Sequence, residues 1–412
     1  MGGDVIIETM RNATVTIRVI VALLVLTPLP TKACLNDRDS DALAAEAKRL
    51  PITISAQTRA GADFPGLVEI ITGRFPRNSA LYYQLRITRC QRELAATPNQ
   101  LALYDDISVA YDKLGKSGEA LVWIEKKRAR IPKTDTEALY RYFANVGTFR
   151  AHHWLREGAK DERRGELMQA RDEIAKAIEL KPDAHFGREA YQLQAMEWLL
   201  NAHEKQSLAY YIGHSESHDN DKAILGLAGL VVLGNAWESV DIFGALAGQL
   251  NQRGDAKIGF LAELRCRELM ENGKVSLFES VEFPERTRRS GPEYLIVPPP
   301  RNIFGITNPK NVIAKYKELR AAAEKWQVTR TNFMEARLKT GHHPDNDPHF
   351  WDGYKDTPAP SLDIPWQKEA AENFNNLLMR SFYFAPFILI LTIPVIVGLV
   401  QLRRFLTRRR TR

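Results

Sequence analysis

LALYDDISVAYDKLGKSGEALVWIEKKRARIPKT, residues 101–134, decides the fold. Tyr104, Ile107, Ser108 and Tyr111 recur at three- and four-residue spacing and mark one face of a helix. Leu114-Gly115 closes that helix, Ala120 and Ile124 mark a second, and Pro132 ends the unit. Ser108 and Ala120 are small where two helices joined by so short a turn must approach closely, and Tyr111 and Ile124 fill the core between them. The same style of helix extends outward from about residue 41 to 280. Ala, Leu, Glu, Lys and Arg dominate there, and short breaks interrupt every 12 to 20 residues.

In phase and length the 101–134 unit resembles the tetratricopeptide repeat, a helix pair of about 34 residues. Lys127 stands where that family prefers a small residue, which implies looser packing on the next repeat. A second unit follows, with Phe143, Val146 and Gly147 in its first helix and Ala170, Ile174, Ala177 and Pro182 in its second. It carries a charged insert, REGAKDERRGE at 156–166, and Arg150 where a tyrosine is usual. The insert reads as a solvated extension of the turn. Upstream, FPRNSALYYQLRITRCQREL (75–94) reads as a capping helix. Downstream, KAILGLAGLVVLGNAWESVDIFGALAGQL (222–250) and GDAKIGFLAELRCREL (254–269) read as two or three more helices with small residues at contact positions. About three repeats are the usual minimum for a stable stack, so an array over 41–280 is expected.

Beyond the array, 281–308 is a Pro-rich connector. Asn308-Pro309 opens a helix over 309–340 with Val312, Tyr316, Leu319, Ala323 and Trp326 on one stripe. Residues 341–365 are polar and Pro-rich and read as a stalk, followed by a juxtamembrane segment at 366–380. The expected fold class is therefore all-α: a tetratricopeptide-like helical-hairpin solenoid, then a long helix, a stalk and one C-terminal transmembrane helix.

The two ends of the chain carry topology. Residues 1–33 have the arginines, short apolar stretch and small residue of a secretory signal peptide. Met10 is an alternative start, and Cys34 is either a lipidated residue or a free thiol after cleavage near Ala33. Residues 381–402, SFYFAPFILILTIPVIVGLVQL, carry no charge. At about 1.5 Å per residue they reach about 33 Å, enough to cross a hydrocarbon core of about 30 Å. The tail 403–412 holds six arginines and no acid, which places it in the cytoplasm and the body outside. The expected location is the bacterial cytoplasmic membrane, single-pass, with a periplasmic body.

The 412 residues are 44% apolar and 26% charged, with a formal charge of +7. That charge invites a nucleic-acid reading until it is located. The tail accounts for six units and residues 1–33 for one, so residues 34–402 are neutral. No nucleic-acid partner is expected. Three cysteines without a C-x-x-C spacing exclude the commonest zinc and haem patterns. Cys90 and Cys266 lie in helical patterns and read as buried, with a disulfide between them left open.

No nucleophile elbow, phosphate loop or dinucleotide turn is present. Two histidine groups, His214 with His218 and Asp219, and His342, His343 and His349 with Asp345 and Asp347, are the candidates for a metal, and neither matches an established site. No cofactor is expected, and nothing in the sequence sets an oligomeric state. What the family resemblance implies is a non-catalytic scaffold that binds a protein or peptide partner in the concave groove lined by the first helix of each pair. The groove positions would be Asp105, Asp106, Val109 and Asp112 from the first unit and Arg141, Asn145 and Thr148 from the second, with Ala102, Ala144 and His152 beside them. This acidic set suits a basic or mixed peptide, or else forms a solvated face. An envelope metal protein or metal-dependent enzyme using the histidines is the alternative.

Overall fold

The computed structural model describes residues 36–40, 66–182, 184–201, 207–215, 218–277, 309–358 and 360. Its regular elements are all helices, with no strand among the described residues. We number them α1 (Leu67–Thr72), α2 (Ala80–Ala96), α3 (Leu101–Lys113), α4 (Ser117–Arg128), α5 (Thr136–Arg156), α6 (Arg164–Leu180), α7 (Arg188–Leu200), α8 (Leu208–Gly213), α9 (Asn220–Val232), α10 (Val240–Arg253), α11 (Ala256–Glu271) and α12 (Pro309–Lys339).

Local chemistry starts and stops these helices where backbone groups would otherwise be orphaned. Ser79 caps α2 by accepting from the Tyr82 amide, Asp135 caps α5 through Ala138, Asp219 caps α9 through Asp221 and Lys222, and Ser239 caps α10 through Ile242. Leu114 follows α3 and Gly115 takes a φ of +79°, the left-handed conformation that reverses the chain into α4. The 156–166 insert forms the turn between α5 and α6, with Arg150 paired to Glu173 at 3.0 Å across the two helices.

From α2 to α7 each helix packs on the next, and α3 also touches α5, so hairpins stack side by side. Gly147 of α5 marks the closest approach: a Cβ there would lie 2.9 Å from the Ala170 carbonyl oxygen and 2.9 Å from the Ile174 side chain of α6. The stack continues through α9, α10 and α11, where the apolar run around Leu227, Leu230 and Val231 is buried core. Cys90 and Cys266 are both buried and free.

The long helix then ties the end of the stack to its beginning. Val312, Tyr316, Leu319, Ala323 and Trp326 are all buried, and α12 packs on α11, α1 and α2. The end of α3 meets the α9–α10 turn as well: Asn235 donates to Asp112 at 3.4 Å, and Lys113 donates to the Leu233 carbonyl at 3.4 Å.

One sequence expectation is overturned for the part that is described. Residues 341–358 do not form a stalk; they fold back onto α2 and α12. Phe350 is 1% exposed among Tyr82, Tyr83, Met334 and Leu338, and Trp351 stacks on Phe333. The polar, Pro-rich composition concealed three aromatic anchors, Phe350, Trp351 and Tyr354, that pack on one another, Phe350 buried and the other two half-buried. Among the described residues no helix is long and apolar enough to cross a membrane. The expected signal segment 1–33, connector 281–308, span 381–402 and tail 403–412 lie outside them.

Candidate functional site

The acidic residues of α3 are not a solvated face. Asp105, Asp106 and Asp112 are between 0% and 2% exposed, as are Asn145 and Thr148 of α5. Buried carboxylates require partners, and each has them. Lys127 of α4 reaches Asp105 at 2.7 and 2.8 Å, and Asn145 donates to the same carboxylate at 3.0 Å. Here lies the physical reason for a lysine at a position where a small residue was expected: its stem crosses the helix pair and its ammonium neutralises Asp105. Asp112, at the far end of α3, holds His152 at 2.8 Å and Arg156 at 2.6 Å. Burial pushes its carboxyl up, but His152 and Arg156 overcome that and hold it at about 2. Val109 belongs to the apolar core with Ala120 and Ile124 rather than to a groove. Arg141 is half-buried and pairs with Glu137 at 3.2 Å, and Thr148 bonds back to the Ala144 carbonyl and receives Gln192.

The structure thus brings Asp105, Asp106 and Asn145 together and sends Val109, Asp112 and Thr148 to other duties. Across the three that converge lies a segment of the chain itself. The Asn36 amide donates to Asn145 Oδ1 at 2.8 Å, and the Arg38 amide donates to Asp106 Oδ1 at 3.1 Å. Two main-chain N–H groups at alternate residues are therefore received by side chains from two neighbouring helices. Asn145 can accept from Asn36 because its amide nitrogen is committed to Asp105, which fixes which end of the amide faces the segment.

The side chains of the segment are read as well. Arg38 pairs with Asp106 at 3.3 Å, while Asp37 and Asp39 pair with Arg86 of α2 at 3.1 and 2.7 Å. Arg86 is 0% exposed, also holds Asp345 at 2.6 Å, and lies over the Tyr82 ring at 4.6 Å. Tyr82 donates to Asp39 at 2.7 Å. Two of the carboxylates around this buried guanidinium, Asp345 and Asp37, shift in opposite directions. Burial and Arg86 act in opposite directions on Asp345, and Arg86 wins, holding it at about 2. Asp37 has burial and the neighbouring Asp39 charge against it, and rises to about 7. Burial raises Asp105 and Asp106 also, with Lys127 opposing it in the first and Arg86 in the second.

His343 closes the cluster. It stacks on Tyr82 at 4.6 Å, its Nε2 meets the Tyr82 carbonyl at 3.1 Å, and its Nδ1 receives the Asp345 amide at 3.2 Å. Those partners select the neutral ring protonated on Nε2, and burial lowers its pKa in the same sense.

Sequence reasoning missed Arg86 and the 36–40 segment, and it grouped Asp345 and His343 as metal candidates rather than as partners of Arg86 and Tyr82. A signal for the first existed: Tyr82, Arg86 and Cys90 follow each other at four-residue spacing, a cation inside a buried stripe. The 36–40 segment lies far away in the chain and had none. The histidine pairs do not converge on a common point. His214 stacks on Tyr210 and meets its carbonyl oxygen at 2.9 Å, whereas His218 bonds to Asn220; His342 pairs with Asp347 and His349 with Asp352. Among the described residues no group of three or more His, Cys, Asp or Glu is placed to hold a metal ion. Neither a protein-family model, nor a curated protein, nor a solved structure matches the chain.

Proposed function

We propose that this protein is a non-catalytic, membrane-anchored scaffold of tetratricopeptide type that binds a peptide segment of a protein partner in the bacterial envelope. One observation carries the reading: α3 and α5, with Arg86 of α2, already hold a segment of the chain, 36–40, which bends at Asn36 and Asp37 into a helical turn at 38–40, by its main-chain amides and by its charged side chains. A surface that receives alternate backbone N–H groups and sorts acidic from basic side chains has the chemistry of peptide recognition. The bound segment, Asn-Asp-Arg-Asp-Ser, is of mixed charge, and a partner of similar character would compete for the same groups. The anchor at 381–402 and the cytoplasmic tail rest on sequence, and the neutral body argues against nucleic acid. The metal-dependent alternative has no observation in its favour.

The experiment is competition in the full-length protein. A tethered segment works at an effective concentration of the order of mM, so the wild-type chain excludes an external peptide. An Arg38→Ala/Asp39→Asn variant removes the tether's own ion pairs with Asp106 and Arg86. It should take up a labelled peptide of residues 34–42 with one-to-one stoichiometry, and adding Asn145→Ala should abolish that uptake. Equal uptake of a scrambled peptide, or none by the unseated variant, refutes the reading. Protease cleavage of the body in spheroplasts from outside checks the topology; protection of the body would reverse it.

A further inference from the structure

A cavity of about 510 Å³ lies where the ends of the stack are tied together. Its walls are the loop before α2 (Phe75, Arg77, Asn78), the end of α3 (Lys113), the α9–α10 turn (Trp237), α12 (Arg330), Trp351 and the seated segment. The size falls within the range of small-molecule sites, about 300–1,000 Å³.

Three cations face it. Lys113 donates to the Leu233 carbonyl at 3.4 Å and to the Asn235 side chain, both neutral, and has no carboxylate partner among the described residues. Arg330 lies 4.4 Å over the Trp351 ring and meets Asn78 at 3.5 Å, again without an ion pair among the described residues. Arg77 lies 4.9 Å over Trp237 and 5.4 Å over Phe75; its carboxylate, Glu324, is 3.7 Å away and 57% exposed. A guanidinium held over a ring face by cation–π attraction still has N–H donors to offer an oxyanion. Burial pulls all three cations below their ordinary pKa, the state that a bound anion would reverse.

Asp37 and Asp39 also line the cavity, but their oxygens are engaged. Asp37 accepts from the Ser40 amide and hydroxyl and from Arg86, and Asp39 from Tyr82, Asn78 and Arg86. Arg86 offsets part of their charge; the Asp37, Asp39 and Asp112 charges act on Lys113, and that of Asp39 on Arg330, only from beyond ion-pair distance, and burial outweighs them.

We propose that this cavity binds a small oxyanion, a carboxylate or a phosphate, gripped by Lys113, Arg77 and Arg330 between the Trp237 and Trp351 walls. The site shares the seated segment as a wall but none of the residues of α3 and α5 that receive its amides, and its test uses the wild-type chain with that segment in place.

The test is titration calorimetry on the purified full-length chain, using citrate and inorganic pyrophosphate as probes, with sodium chloride matched for ionic strength and glucose as a neutral control. Saturable one-to-one binding below about 1 mM is expected for at least one probe, and its preference distinguishes a carboxylate from a phosphate site. Lys113→Met should weaken that binding at least tenfold, and Arg330→Met likewise. Thermal melting of wild type with rising probe gives a readout independent of whether the variants fold, since a ligand of the native state raises the melting temperature with concentration. Heats and melting shifts no larger than those of matched chloride, or undiminished binding in a folded Lys113→Met protein, overturn the proposal.

Discussion

Lys127→Ala sets the family pattern against this structure. By resemblance alone the substitution restores a preferred small residue and should tighten the helix pair. In the structure it removes the cation from a pair in which Nζ lies 2.7 and 2.8 Å from the Asp105 oxygens, with the two side chains 0% and 2% exposed. Attraction between buried charges is strong, but the larger effect of the mutation is the carboxylate it leaves behind. Removing one partner of a buried pair costs about 3–5 kcal/mol. With a denaturant slope of about 3 kcal/mol per M in urea, the unfolding midpoint falls by about 1–1.7 M. The loss grows with pH. Burial already raises the Asp105 pKa even with Lys127 present. A group with a raised native pKa contributes stability below its usual pKa and loses it as pH rises, so the variant should be closest to wild type near pH 5 and furthest from it near pH 8. Asp105→Asn/Lys127→Met, neutral and similar in volume, should recover most of the deficit. Urea unfolding of wild type and these two variants, followed by circular dichroism at both pH values, decides the matter. A Lys127→Ala loss under about 1 kcal/mol, or a double variant no more stable than the single, refutes the reasoning.

Two further outcomes follow from the same structure. Asp37 is raised from its usual 3.8 to about 7, so its protonated form favours the seated segment; that contribution is complete below about pH 4 and is lost as pH rises through 7. Hydrogen exchange of peptides covering 34–40, corrected for intrinsic rate, should show protection falling between pH 5 and 8 in wild type and a flat profile in Asp37→Asn; protection that rises with pH contradicts this. Asp112 and Asp345, held at about 2, act in the opposite sense and stabilise the body above about pH 4, a contribution lost in acid and constant across that window. Gly147→Ala gains about 0.5–1 kcal/mol in helix propensity but sets a methyl 2.9 Å from the Ala170 carbonyl oxygen, so overpacking of about 1–3 kcal/mol should leave a net loss; a melting temperature at or above wild type shows that α5 and α6 can part there.

The helical architecture was legible because its signals are local. Ser79, Asp135, Asp219 and Ser239 cap helices from within three residues, and Gly115 turns the chain at the position where the pattern broke. The stripe from Val312 to Trp326 announced a buried face before any partner for it was known. The site was only half legible. Asp105, Asp106 and Asn145 were found on the right helices, but not the segment of the chain itself that covers them, because helical phase says which residues share a face and not whether that face is covered.

The amino-acid sequence by itself determined an all-helical body, the pairing of neighbouring helices and the placing of net charge at the chain ends. Only the tertiary structure decided that the stack is tied end to end, that its inner acids are neutralised, and that residues 36–40 lie across them. The physical reason is separation along the chain. Caps, turns and amphipathic stripes depend on residues within about a helical turn or two of one another. Arg86 by contrast gathers carboxylates 49, 47 and 259 positions away, and Asn145 receives an amide 109 positions away. A buried charge is tolerated only where such partners converge, and that convergence exists only in three dimensions.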